Sequence, residues 1–405
     1  MNNFFCPLPW NHLFFKPNGK VQACCETWEN QFDPSETIAE TANNPVLRQL
    51  RLDLLDPNTT PKMCHICVKK ENSSVPSMRT NNLKVFPHIN PKSAKEITYP
   101  DGTTDNFRLE YLDIRSSNLC NYKCRFCSLG SSNLWLKDHK LLGYKLGRGK
   151  YTGYDTKTGI KEYNIDWEDL KPHLPYLKKL KLAGGEPTIM PGTYQLLEEL
   201  INIGNLDLQL ILVTNASKVE YGKYNILSLL ENFNSVRIHI SAESMGIRHD
   251  WQRAGKTDWD NVAKNIEKYK SFTVTAPNNV RRNAFFHVGI SWVNLWHLPS
   301  FIQAYPDMEF DFNLVTFPTE LNINAFTRSE LERCVQHYER ILDCPLPPRV
   351  TKHLQQVKQT IENCVRNTSN DFDIAYFKSI HNILDASRNQ SFIDIFPEWR
   401  HLYEQ

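Results

Sequence analysis

Three cysteines stand close together in the run Cys120-Asn-Tyr-Lys-Cys124-Arg-Phe-Cys127, a C-x3-C-x2-C spacing. A loop of that length folds three thiolates around one face of a metal centre and leaves a fourth position without a protein ligand. Cubane iron–sulfur clusters normally take four thiolates, so three imply one iron open to another ligand. A single zinc ion would want a fourth Cys or His close by. The nearest downstream histidine, His139, falls in a helix-like run. The spacing therefore favours an iron–sulfur cluster, presented just after the strand-like run Arg108 to Arg115.

A second motif follows downstream: Gly184-Gly185-Glu186-Pro187, directly after the strand-like run Leu177 to Ala183. With an aromatic residue, Phe126, before the last cysteine, the two motifs in this order resemble the radical S-adenosylmethionine (SAM) superfamily. The resemblance implies that Cys120, Cys124 and Cys127 ligate a [4Fe-4S] cluster whose open iron is chelated by the amino and carboxylate groups of SAM. One electron then cleaves the sulfonium, and the 5'-deoxyadenosyl radical abstracts a substrate hydrogen. In such systems the cofactor carries the radical chemistry and the protein holds and shields it. By the same resemblance the Phe126 backbone touches the adenine and Gly184, Gly185, Glu186 and Pro187 bind the methionyl amino group. Asn215 sits at the carboxyl end of the third strand, where such barrels place their sites, and Ser241 and Glu243 end the fourth, where the family often places polar contacts to ribose and methionine. Arg253 stands where related enzymes keep an arginine for the SAM carboxylate, a task suited to a bidentate guanidinium. Asn294 and Val315 match SAM-contact positions more loosely.

The first hundred residues hold another cysteine set: Cys6, Cys24, Cys25, Cys64 and Cys67. The Pro17-Asn18-Gly19 turn between two short strand-like runs reads as a β-hairpin that brings Cys6 and Cys24 together. A helix-like segment, Asn44 to Leu55, leads to the knuckle Cys64-His-Ile-Cys67, which can supply two thiolates to one metal. From residue types alone these four cysteines suit either a zinc ion or a fully ligated iron–sulfur cluster. Beside a radical SAM core the segment resembles a twitch domain, the shorter form of the SPASM auxiliary-cluster module. The likeness rests on the C-x17-C spacing, Gly19 shortly before Cys24, and the later C-x2-C. It implies a second cluster, [4Fe-4S] by preference, on Cys6, Cys24, Cys64 and Cys67. Twitch modules commonly follow the core, whereas this one precedes it. Adjacent side chains of a hairpin face opposite ways; the glycine register favours Cys24, and Cys25 stays open between a ligand and a small buried hydrophobe.

These ligands need elements to position them. Strand-like runs recur at about Arg108–Arg115, Lys179–Ala183, Leu208–Thr214, Ser235–Ser241, Phe285–Trp292 and Phe310–Phe317. Helix-like segments separate them, near Ser131–Leu142, Tyr194–Ile203, Lys223–Asn232, Trp259–Ser271 and Leu298–Tyr305. Alternating strands and helices predict a parallel sheet with helical crossovers. Six strands are two short of a closed eight-stranded barrel, and the resemblance implies an open (β/α)6 partial barrel. Polar residues alternate with apolar ones in four strands: Tyr111, Asp113 and Arg115; Arg237, His239, Ser241 and Glu243; His287 and Ser291; Asp311 and Asn313. Period-2 alternation puts each polar set on one face, as a lumen for a charged cofactor requires. The fold expected is α/β: residues 1–105 a twitch-like module with a linker from 71, 106–320 the partial barrel, and 321–405 a helical C-terminal segment. Residues 143 to 166 read as an insertion after the first helix.

Composition closes off other classes. The 405 residues carry 47 basic and 45 acidic side chains, a net charge of +2, too balanced for a nucleic-acid or anionic-membrane footprint. No apolar run is long enough to span a bilayer. The N-terminus lacks the basic and apolar regions of a signal peptide. Eleven cysteines in an unexported chain point to metal ligation and a cytoplasmic setting. The partners expected are a small-molecule or peptide substrate and an external one-electron reductant of flavodoxin or ferredoxin type. Catalytic side chains cannot be singled out. Three alternatives stay open: peptide modification rather than oxidation, structural zinc at the N-terminus, and a cluster-bearing protein that does not cleave SAM.

Overall fold

Apolar runs bounded by polar turns form strands where both faces can be covered, and the six runs downstream of the linker all do so. The computed structural model describes residues 4–27, 30–72, 76–105, 107–143, 157–162, 166–277 and 279–404. Its strands are β1 (His12–Phe15), β2 (Val21–Gln22), β3 (Tyr111–Ile114), β4 (Lys179–Leu182) and β5 (Gln209–Thr214). A two-stranded ribbon of β6 (Glu220–Tyr221) and β7 (Tyr224–Asn225) comes next, then β8 (Ser235–Ser241), β9 (Arg281–Ile290) and β10 (Glu309–Leu314). One eight-stranded sheet has the order β10-β9-β8-β5-β4-β3-β1-β2. The pairs β9–β10, β3–β4, β4–β5 and β1–β3 are parallel, and only the hairpin partner β2 runs antiparallel to β1. The fold is α/β with a mostly parallel central sheet, as a partial barrel requires.

The chain divides into two compact units, one of Met1–Asn118, Lys161–Leu212 and Ser228–Val236, the other of Leu119–Ile160, Val213–Leu227 and Arg237–Gln405. In the first unit the expected hairpin forms across the Asn18-Gly19 turn, with Gly19 at φ 78°. It does not stand apart. Phe14 and Phe15 of β1 pair in register with Asp113 and Ile114 of β3, so the hairpin lengthens the sheet. The helix Pro45–Leu55 begins where Asn44 accepts the Val46 N–H at 3.0 Å. From it Arg51, fully buried, donates to the carbonyls of Pro9 (3.0 Å), Ala42 (2.5 Å) and Gly102 (3.0 Å). One guanidinium thus ties together three chain segments, one of them just after Cys6.

Two expectations need correction. Residues 71–105, read as a linker without periodicity, hold the helices Met78–Val85 and Pro91–Glu96. Each starts from a capping box, Ser77 with Thr80 and Asn90 with Ser93. Caps satisfy the orphan N–H groups of a first turn, so even short polar segments can be helical. The helix expected from Lys223 starts only at Ile226. The turn Tyr221-Gly222-Lys223-Tyr224, with Gly222 at φ 58°, folds instead as the β6–β7 ribbon.

The second unit carries β9 and β10 and the C-terminal helices Arg328–Leu342, Pro348–Asn367 and Ile374–Arg388, close to the segments read from sequence. The insertion expected at 143–166 lies, for 144–156 and 163–165, outside the described residues. Among the described residues no helix is long and apolar enough to cross a membrane.

Candidate metal and cofactor site

The Cys120–Cys127 loop belongs to the second unit, where neighbouring backbone holds it open. Lys123 N–H donates to Ala254 O at 3.0 Å, Arg125 N–H to Gln252 O at 2.8 Å, and Tyr122 bridges Gly255. Gly255 sits at φ 101°, and a Cβ there would stand 2.8 Å from Asn121 O. Only glycine allows that approach. The thiols are screened from water: Cys120 is 9% and Cys124 7% exposed. Burial, then the neighbouring Cys124, pushes the Cys127 thiol up to about 12, and burial raises Cys124 against the pull of Arg253. Metal loading must therefore displace protons. Hydrogen-bond donors already address the sulfurs: Tyr122 N–H to Cys120 at 3.4 Å and Arg253 Nη1 to Cys124 at 3.6 Å. Three thiols in one short loop, met by N–H donors, suit a cluster with one iron open. Among the described residues no group of three or more Cys, His, Asp or Glu side chains is placed to hold a metal ion.

Arg253 is not on the surface. It ends the helix Gly246–Arg253, is 6% exposed, and engages Glu243 with two N–H groups, the Nε–Oε2 distance being 2.7 Å. Its guanidinium lies 5.0 Å from the Phe126 ring centroid. Cys124, Phe126, Glu243 and Arg253 thus form one cluster of side chains. Asn215, just past β5, donates to Asn121 Oδ1 at 3.1 Å and stands 4.0 Å from Cys120 Sγ. Val315 follows β10; its Cγ2 and Glu243 Oε1 both lie within 4 Å of the Cβ position of Gly289. Ser241 ends β8, partly exposed. Asn294 is different. It is fully buried, donating to Gly289 O at 2.8 Å and accepting from Ser291 N–H at 3.1 Å. Its side chain is spent on capping its own turn.

In the first unit, Gly184-Gly185-Glu186-Pro187 makes the turn after β4. Gly184 sits at φ 124°, where a Cβ would meet Ser117 O at 2.9 Å, and Gly185 N–H donates to that same carbonyl at 3.0 Å. The Glu186 carboxylate takes the Thr188 hydroxyl at 2.7 Å and N–H at 3.2 Å, capping the short turn Pro187–Ile189. The glycines let backbone approach backbone, and the glutamate stiffens the turn.

The profile of the radical SAM superfamily matches residues 114–302 of this chain. These residues form a radical SAM domain. No curated protein matches the chain. Among solved structures, one described as "Structure of TYW1 with a lysine-pyruvate adduct bound" is similar at 14% identity, covering 54% of this chain and 68% of that one, with a TM-score of 0.29. A score that low supports no inference about this protein.

The radical SAM domain spans the cysteine loop, the glycine turn, Asn215, Glu243 and Arg253. Its most elaborate support was not read from the sequence. Arg125, between the second and third cysteines, is 1% exposed and lies 3.8 Å from the Trp251 ring centroid. It donates to Trp251 O at 3.0 Å, Gln390 Oε1 at 2.9 Å and Asp385, and its Nη1 meets His381 Nδ1 at 3.0 Å. Trp135 Nε1 donates to Cys124 O at 3.0 Å, and Cys127 packs against a core of Leu129, Trp135, Leu136, Leu142, Ile380 and Leu384. The C-terminal helix Ile374–Arg388 is thus part of the cysteine loop's foundation. Its partners lie some 250 positions away, and no local spacing marks them.

The N-terminal cysteines gather in the first unit. Cys6 is within electrostatic reach of Cys64 and Cys67, and Cys24 of Cys6 and Cys67. Burial raises all of these thiols that shift, Cys64 to about 12. Cys25 is buried and lies within reach of Lys181, Asp113, Arg115 and Glu26 as well as of Cys24. Cys6, Cys24 and Cys67 are thus within reach of one another, Cys64 joins them through Cys6 and Cys67, and Cys25 adjoins Cys24.

Proposed function

We propose that this chain is a radical SAM enzyme with two iron–sulfur clusters, oxidising or otherwise modifying a peptide or small molecule. The carrying observation is the Cys120–Cys124–Cys127 loop with Arg253 and amide N–H groups turned to its sulfurs, inside a radical SAM domain. When bound, a [4Fe-4S] cluster and SAM supply one-electron cleavage of the sulfonium and a 5'-deoxyadenosyl radical that takes a substrate hydrogen. The chain's part is to hold and to shield. Cys120, Cys124 and Cys127 would hold the cluster; Arg253, fixed by Glu243, keeps a cation beside Cys124 and so favours the thiolate. The resemblance gives the methionyl amino group to the Gly184–Pro187 turn, and Asn215 offers an amide. Buried surroundings keep water from the site.

Cys6, Cys24, Cys64 and Cys67 would hold the second cluster, supported by their mutual proximity, and that cluster would supply an acceptor for the electron a substrate radical gives up. The first electron needs an external reductant of flavodoxin or ferredoxin type, and the cytoplasm is the compartment that suits both. The test is anaerobic reconstitution, then incubation with SAM and dithionite. Formation of 5'-deoxyadenosine is expected; a fully iron-loaded protein that leaves SAM intact would make this a cluster-binding protein without the activity.

A further inference from the structure

One face of the sheet in the first unit carries more positive charge than its protein partners balance. Register puts Phe14, Asp113 and Lys181 in one row across β1, β3 and β4. Side chains two apart in a strand share a face, so Lys16 and Arg115 continue it just past the ends of β1 and β3. Asp113 is fully buried; Lys181 Nζ lies 3.2 Å from its Oδ2, and Arg115 Nε 3.8 Å from its Oδ1, too far for a hydrogen bond. The Arg115 guanidinium is oriented over the Phe14 ring, 4.5 Å from the centroid, and its buried Nε has no hydrogen-bond partner among the described residues. Its side chain keeps 31% exposure and that of Lys181 16%.

The remaining groups do not cancel the charge. Burial lowers the Lys16 ammonium, and Arg115 lowers it further, which marks two cations close to each other. His12, one row back, is held neutral by burial. Three cations thus face one carboxylate. They stand at the carboxyl ends of adjacent parallel strands, where open α/β sheets bind ligands. Gly184 touches Arg115, its Cβ position being 3.4 Å from Arg115 Cα, and Cys25 borders the cations one residue from Cys24.

We propose that Lys16, Arg115 and Lys181 form an anion site that holds a carboxylate or phosphate group of the substrate. The cofactor's own carboxylate is expected elsewhere, so the site belongs to a second molecule: the substrate class is anionic, anchored beside the glycine turn and the N-terminal cysteines. Arg115 supplies the forked donor and the two lysines supply charge. Asp113 positions Lys181 and limits the net charge of the empty site.

This inference rests on the radical SAM reading for calling the ligand a substrate, and the test separates the two. The reconstituted protein with SAM is titrated by NMR with inorganic phosphate and, separately, with acetate. Wild type, Arg115→Gln, Asp113→Asn and the exposed control Lys92→Gln are compared, each also assayed for SAM cleavage. Arg115→Gln removes a group that keeps 31% exposure, so it is less exposed to misfolding than Asp113→Asn. The expected result is that one anion binds wild type and Lys92→Gln alike, about tenfold or more weaker to Arg115→Gln, and tighter to Asp113→Asn. The tighter-binding anion tells phosphate from carboxylate. Equal affinity in wild type and Arg115→Gln, or no binding of either anion, overturns the site even where SAM is cleaved. Loss of anion binding in Arg115→Gln without SAM cleavage in any variant keeps the site and removes the enzyme reading.

Discussion

Arg253 is held by two N–H groups on Glu243 while a third nitrogen reaches Cys124 Sγ. A buried pair of this kind is costly to desolvate, and its use lies in fixing geometry. A lysine has no fork with which to serve both partners. Arg253→Lys is therefore expected to retain most of its iron and lose about tenfold or more in 5'-deoxyadenosine formation, read by chromatography at matched iron content. Full activity would mean that the pair only fills space. A second residue sets acid sensitivity. His12, fully buried, donates Nδ1–H to Tyr111 O over 2.9 Å, and burial takes it from 6.5 down to about 4. Between those values the unfolded chain binds a proton that the folded chain refuses, so stability falls as pH drops from 6.5 to 4 and levels off below. The loss is on the order of 3 kcal/mol. His12→Asn should shallow that slope in urea midpoints without abolishing it, since burial also lowers His249, to about 3. Identical slopes would remove His12 from the account.

At the scale of elements, the C-terminal helix Ile374–Arg388 braces the cysteine loop through Asp385, which receives Arg125, Trp251 Nε1 at 2.8 Å and, on its other oxygen, Phe392 N–H at 2.8 Å. Asp385→Asn leaves Arg125 buried without its counter-ion, a loss of about 3 kcal/mol or more. Faster hydrogen exchange across the 120–127 amides is expected, measured on the unloaded protein so that cluster content does not enter; unchanged exchange would detach the helix from the loop. This brace also shows where reading from sequence stops. The cysteine spacing and the glycine turn are local, so residue order alone exposed them, as it did the six strands and the helix Arg328–Leu342. Arg125 and Asp385 are 260 positions apart, and their types alone say nothing of each other. The helices Met78–Val85 and Pro91–Glu96 were legible in principle, because their caps are local, but apolar periodicity is the wrong signal for elements this short. Arg253 was placed by resemblance; its burial and its hold on Glu243 come from the fold.

Over the whole molecule, the two cysteine sets belong to different compact units. The N-terminal hairpin pairs with β3 and carries the segment after Cys6 and the one before Cys24 into the sheet, while the loop after β3 carries Cys120, Cys124 and Cys127. Strand pairing is stronger than a linker as a way of fixing a module, since register specifies position residue by residue. The central claim, two clusters of which one cleaves SAM, is tested most directly by counting. Iron and sulfide per chain would be measured after anaerobic reconstitution, in wild type and with Cys120, Cys124 and Cys127 all changed to Ala, alongside 5'-deoxyadenosine formation. About eight irons are expected in wild type and about four in the variant, on the four-iron stoichiometry of a cubane, with SAM cleavage gone. A variant that still cleaves SAM, or that holds zinc and no iron, would contradict it.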